Sequence, residues 1–218
     1  MPAFTSPIAA WRALRRRKVF RSIHAENTWG DPESRSGPGS TRERAESFLA
    51  ELIRLVRSLE VEILLDAPCG DFNWAGPLAD AVPFYVGVDV VPALIDANQR
   101  HAGPRRRFLC RDLVHEALPA ADLVLCRDGL VHLSNAEVHA ALGNLRRTGA
   151  RWLVTTSFAG DHPNADIRAG NWRPLNLERP PFLFPPPIAR IDEHCGYDAG
   201  KWRDKGLALW EFAALPEA

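Results

Sequence analysis

The chain has 218 residues, 46% of them apolar, with 27 cations against 27 carboxylates and a formal net charge of zero. This suits one large domain with a single core and excludes disorder, and no apolar run approaches the ~20 residues of a membrane span. The neutral balance points to neither nucleic acid nor an anionic membrane, and four irregularly spaced cysteines make no disulfide framework or zinc knuckle, so a cytoplasmic protein with reduced thiols is expected.

Residues 1–39 read as a basic arm followed by a flap. Twin arginines at Arg15-Arg16 are followed by no apolar stretch beyond Phe20, so an export signal is excluded. Trp11, Leu14, Val19 and Phe20 would share the face by which a short basic helix docks on the domain or a partner, but a solvated or frayed arm is the favoured reading. The segment from Trp29 through Ser36 to Ser40 is rich in Gly, Pro and Ser and forms either a linker or a flap over a ligand. Ser40 with Glu43 three residues on marks a capping box, and Ala45, Phe48, Leu49, Leu52, Ile53, Val56 and Leu59 recur at helical spacing, which predicts an amphipathic helix over 41–59.

The short apolar run Ile63-Leu64-Leu65 enters Asp66 and then the turn Pro68-Cys69-Gly70, the pattern of a buried parallel strand running into a helix. Ligands bind at such strand ends in open α/β sheets. Asp66 and Asp71 bracket the turn's one glycine, which favours a cationic ligand. A pyrophosphate site needs several glycines and no adjacent anion. S-adenosylmethionine (SAM), with an ammonium, a sulfonium and no phosphate, suits the turn.

Phe84–Asp89 is predicted as a second strand, and Pro92 opens a helix to about Ala102. Asp89, about twenty residues past the glycine turn, is placed either to accept from ribose hydroxyls or to cap that helix. Arg107–Leu113 reads as a third strand, with Asp112 to accept from an adenine amino group and Leu113 against its ring. A fourth strand over Ala121–Cys126 leads into Arg127, Asp128 and His132. Ser134 and Glu137 form a capping box for a helix to about Arg147, and Arg151–Phe158 is a fifth strand. Residues 159–187 carry proline-rich, aromatic, irregular chain, expected to be a lid that includes Trp172 and Arg173. Short strands near Ile188–Asp192 and Leu207–Phe212 follow. The alternation implies a doubly wound α/β sheet with several strands ending in carboxylates.

The order of D-A-P-C-G-D-F-N-W (66–74), G-V-D (87–89), C-R-D-L (110–113) and C-R-D-G-L-V-H-L (126–133) resembles the class I SAM-dependent methyltransferases, in a bacterial branch, over roughly residues 40–213. The sequence keeps only Gly70 of the family's usual two or three glycines. The resemblance implies a Rossmann-like, seven-stranded mixed sheet with the last strand antiparallel, and a methyltransferase domain over 40–218. It implies SAM as cofactor, held by Asp66, Pro68, Cys69, Gly70, Asp71, Asp89, Val90, Asp112, Leu113 and Arg127. His132 is the candidate base and Asp128 its orienter or substitute, although a core or capping histidine remains an alternative. Trp29, Ser36, Trp172 and Arg173 are the candidate substrate contacts. Arg127 and Arg173 are placed to meet either an anionic acceptor or the SAM carboxylate. Asp161, His162 and Asp166 lack the spacing of a metal site, and none is expected. The expected reaction is methyl transfer to a hydroxyl or amine of a polar small molecule or glycan, by a monomer or homodimer. An NAD(P)-dependent oxidoreductase and a non-catalytic SAM-binding scaffold are the alternatives.

Overall fold

Seven strands form one sheet in the computed structural model, which describes residues 7–195 and 200–217. They are β1 (Ile63–Asp66), β2 (Phe84–Asp89), β3 (Arg106–Cys110), β4 (Leu123–Cys126), β5 (Trp152–Phe158), β6 (Ala189–Asp192) and β7 (Lys205–Glu211), in the spatial order β3-β2-β1-β4-β5-β7-β6. The first five run parallel; β7 pairs antiparallel with both β5 and β6. This is the class I methyltransferase architecture, with the last strand reversed as the resemblance implies. The order reverses between β1 and β4, and the carboxyl ends of these strands open the crevice where doubly wound sheets take ligands.

Each face of the sheet is covered. Helix α2 (Arg42–Ser58) sets Ala45, Phe48, Leu52 and Val56 on one face, beside Leu78 and Ala79 of the short α3 (Gly76–Asp80) and Ile95 of α4 (Pro92–Asn98). The other face takes Val138, Ala141, Leu142 and Leu145 of α5 (Asn135–Arg146), together with Leu175, Leu177, Phe182 and Phe184. Burial of these side chains is the main force holding the layers together.

Several expectations are corrected. The arm is not frayed: α1 (Pro7–Glu26) is a helix, docked through Ala13 and Arg16, both almost fully buried. Trp11 and Leu14, expected on its docking face, are exposed. Ser40 does not cap α2; it closes a 3-10 turn, and Thr41 takes the cap by accepting from the Arg44 N–H. The Ser134–Glu137 capping box is present. No helix directly follows the β1 turn, where Gly70 and Phe72 both have left-handed backbone (φ 54 and 57) and α3 starts only at Gly76. Strand β3 ends at Cys110, two residues before Asp112, and an irregular segment, not a helix, joins it to β4. The segment 159–187 is irregular as expected but buries four side chains in the core. Residues 1–6 of the arm and 196–199 of the loop before β7 lie outside the described residues.

Candidate functional site

A cavity of about 1010 Å3, its open mouth included, runs along the carboxyl ends of β1 to β4. Its floor is Pro68, Cys69, Gly70, Asp89 and Val90; its apolar walls include Leu94, Leu113 and Val114. Asp128, Gly129 and His132 border the end near β4, and Trp29, Arg35 and Ser36 close it from the flap. The roof comes from α1, whose Arg16, Phe20 and His24 recur every fourth residue and so share one helix face.

Asp89 is buried at the end of β2. Its Oδ1 accepts the Val91 N–H at 2.9 Å and its Oδ2 the Gly70 N–H at 3.2 Å, which leaves lone pairs for hydroxyl donors. Burial pushes its carboxyl up to about 6, partly offset by the backbone N–H groups it accepts. A side chain at Gly70 would be strained by the positive φ, and its Cβ would overlap the Ser36 hydroxyl. The same hydroxyl accepts the Asp71 N–H at 3.0 Å, so the flap is seated directly on the glycine turn. Asp71 lines the cavity, but its carboxylate holds the flap: Oδ2 accepts the Ser34 hydroxyl at 2.9 Å and the Arg35 N–H at 2.8 Å.

His132 stacks on Trp29 with ring centroids 4.9 Å apart. Its Nδ1 lies 3.0 Å from the Asn171 carbonyl oxygen. A carbonyl can only accept, so Nδ1 carries the hydrogen and Nε2 the lone pair. Burial lowers the pKa of the ring below its usual value, with Lys205 and Arg173 acting in the same direction.

Four charges form a buried group beside it. Arg127 donates Nε and Nη2 to the two Glu193 oxygens at 3.0 and 2.8 Å and Nη2 to the Gly39 carbonyl at 2.9 Å, and its guanidinium lies over Phe48. Lys205 Nζ lies 2.7 Å from Asp128 and 2.9 Å from Glu193. Burial opposes the charge of Asp128, yet Lys205 and Arg127 hold its carboxyl far below the usual carboxylate range. Asp128 is therefore an ion-pair anchor, not a base. No hydrogen bond joins it to His132 among the described residues; Asn171 takes the orienting role expected of it.

Other expected contacts are also corrected. Asp66 is absent from the cavity wall: strand alternation turns it to the face of Leu64, where it accepts the Tyr85 hydroxyl at 2.5 Å. Asp112 reaches the wall, but Arg16 occupies both of its oxygens. Arg127 is likewise committed to Glu193. Trp172 packs against Phe158 and Trp202 away from the cavity. Arg173 is buried and donates Nη1 to the Val131 carbonyl and Nη2 to Asn135, while its Nε meets no acceptor. No residue of 159–187 lines the cavity, and Leu175, Leu177, Phe182 and Phe184 of that stretch lie in the core. Pro68, Cys69, Gly70, Asp71, Asp89, Val90, Asp112, Leu113, Arg127, Asp128, His132, Trp29 and Ser36 all lie on the wall. Arg16, His24, Arg35, Glu193 and Lys205 stand at or beside the cavity without belonging to any sequence motif. The fourfold spacing of Arg16, Phe20 and His24 was the one signal that could have found any of them.

A family model described as a methyltransferase domain matches residues 64–150, from β1 to the approach to β5. The chain is 30% identical over 118 residues to uncharacterized methyltransferases of Mycobacterium tuberculosis and Mycobacterium bovis, a match over 52% of this chain and 57% of each relative. The chain thus spans little more than half the length of those relatives. Among solved structures, it resembles the magnesium protoporphyrin IX methyltransferase of Synechocystis PCC 6803 with bound SAM, at TM-score 0.52 and 15% identity over 89% of this chain and 95% of that one. It also resembles the N-methyltransferase NodS of Bradyrhizobium japonicum WM9, at TM-score 0.54 and 18% identity over 78% and 95% of the two chains. At these identities the likeness is one of fold.

Proposed function

We infer that this chain, a class I methyltransferase by its fold and by the domain its core matches, transfers a methyl group from SAM to a hydroxyl or amine of a polar acceptor. The observation that carries the reading is one cavity that joins a buried carboxylate at the end of β2, a glycine turn at the end of β1 and a neutral imidazole just past β4. The cavity suits SAM. Asp89 retains acceptor capacity for ribose hydroxyls, and the Gly70 turn beside it lines the same cavity. Leu94, Leu113 and Val114 offer apolar walls to an adenine ring. Arg35 lines the cavity with no ion-pair partner among the described residues, and so replaces Arg127 as the partner for the SAM carboxylate.

SAM supplies a methyl group on a cationic sulfur, already activated for displacement. The protein has to align the acceptor and take its proton. His132 does the second. Its Nδ1–H is pinned to Asn171, its Nε2 is left as the acceptor, and its lowered pKa keeps it neutral near pH 7. Trp29 fixes the ring by stacking and forms a wall for the acceptor.

Calorimetry and turnover test the reading together. SAM is expected to bind and NAD not, and Asp89→Asn should weaken SAM binding by about 2–3 kcal/mol. Affinity should also fall as pH drops through about 6, where Asp89 becomes protonated. His132→Gln should keep SAM affinity but slow transfer to a hydroxyl-bearing acceptor by about 10²–10⁴-fold. Near-normal turnover in His132→Gln would remove the base. Tight SAM binding without turnover over a broad panel of sugars, alcohols and amines would favour a binding protein over an enzyme.

A further inference from the structure

Helix α1 has two faces with different environments. The inner one carries Ala13, Arg16, Phe20 and His24 against the domain. The outer one leaves Trp11 59% and Leu14 68% exposed, flanked by exposed Arg12, Arg15, Lys18 and Arg21. The helix holds six cations and one carboxylate in a chain of zero formal net charge, so the even overall balance hides a strongly basic end. Of the six, Arg16 and Arg17 are spent on carboxylates of the domain, Asp112, Glu137 and Glu116. Leu14, Lys18 and Arg21 also line an open groove between α1 and the start of α4, and that groove shares His24, Val90 and Val91 with the cavity. The basic face therefore adjoins the active-site mouth.

Exposed Trp11 and Leu14 among four exposed cations supply the two terms that hold a protein surface to an anionic bilayer, apolar area to bury and positive charge. An acidic polymer would satisfy the cations but gives Leu14 nothing; a lipid surface satisfies both. We propose that the outer face of α1 docks this protein on anionic phospholipid membranes. Trp11 and Leu14 enter the boundary between headgroups and acyl chains, while Arg12, Arg15, Lys18 and Arg21 meet lipid phosphates. The proposal concerns a surface, and it stands or falls apart from the methyl-transfer reading.

The test is sedimentation of the full chain with vesicles of phosphatidylcholine, alone or mixed with phosphatidylglycerol. Binding is expected only to the mixed vesicles and should weaken with salt. Trp11→Ser with Leu14→Ser, and separately Arg15→Glu with Lys18→Glu and Arg21→Glu, should each reduce partitioning at least about tenfold. All these side chains are exposed, so SAM affinity and melting temperature should hold. As a check free of variants that disturb the helix, brominated lipid should quench wild-type tryptophan fluorescence, and Trp11→Phe should lose most of the quenching. No partitioning, equal partitioning to neutral vesicles, or binding that survives the Trp11 and Leu14 changes would overturn the proposal. The last result would reduce the face to a site for acidic polymers.

Discussion

Asp66 shows how a single side chain can carry a strand-end motif without serving its ligand. It is buried, and burial pushes its carboxyl up to about 7, while the hydrogen bond from Tyr85 acts the other way. A carboxyl that holds its proton more tightly folded than unfolded favours the folded state below its unfolded pKa. That contribution is lost as pH rises through about 7. Asp66→Asn keeps an acceptor for Tyr85 and removes the ionisation. It should therefore gain on the order of 2–4 kcal/mol over wild type near pH 8, and much less near pH 4, in urea unfolding. An equal effect at both pH values would mean that Asp66 ionises alike in the folded and unfolded chains, so that burial does not raise its carboxyl. Asp128 is the opposite case, a carboxylate kept charged by two cations, one of them Lys205 at the start of β7.

At the scale of elements, the site is assembled by α1 and the flap as much as by the sheet. Arg16 ties α1 to Asp112 beyond β3 and to Glu137 in the first turn of α5, where Glu137 already completes a capping box. Removing one partner of a buried ion pair leaves the other charge stranded. Arg16→Ala should thus cost about 3–5 kcal/mol in urea unfolding and speed amide exchange along α1. A cost under about 1 kcal/mol would show the pair to be solvated, and the helix loosely held. Asp112, once released, would also be available to an adenine amino group, so SAM affinity in Arg16→Ala need not fall with stability. The flap is seated differently, through Ser34, Arg35 and Ser36 on Asp71, and it delivers Trp29 to His132.

For the whole molecule, the cavity links its roof, flap and sheet, so a ligand that fills it should stabilise all three. Linkage gives about 2.7 kcal/mol at a ligand concentration one hundred times Kd. For a chain of this size that is a rise in Tm of about 5–10 °C. S-adenosylhomocysteine is expected to produce this shift and NAD to produce none. A chain that melts alike with either would not have the proposed cofactor site. The charge distribution belongs to this scale too: a neutral total is compatible with one strongly basic end.

By itself the sequence determined the sheet and the strand-end placement of the site. Continuous apolar runs such as Phe84–Asp89 and the helical spacing of Ala45, Phe48, Leu52 and Val56 are local signals, the first of a strand buried on both faces and the second of a helix with one buried face. The Ser134–Glu137 cap and the turn at Gly70 were legible for the same reason, since each is satisfied within a few residues. Tertiary structure alone decided which charges remain for a ligand. Arg16 meets Asp112 across 96 residues, Lys205 meets Asp128 across 77, and Arg127 meets Glu193 across 66. Nothing local distinguishes those arginines and carboxylates from solvated ones, because an ion pair is specified by position in space rather than by spacing along the chain. The same holds for α1. Its docking face is chosen by the buried partners of Arg16, not by its most apolar residues, and that leaves Trp11 and Leu14 facing outward.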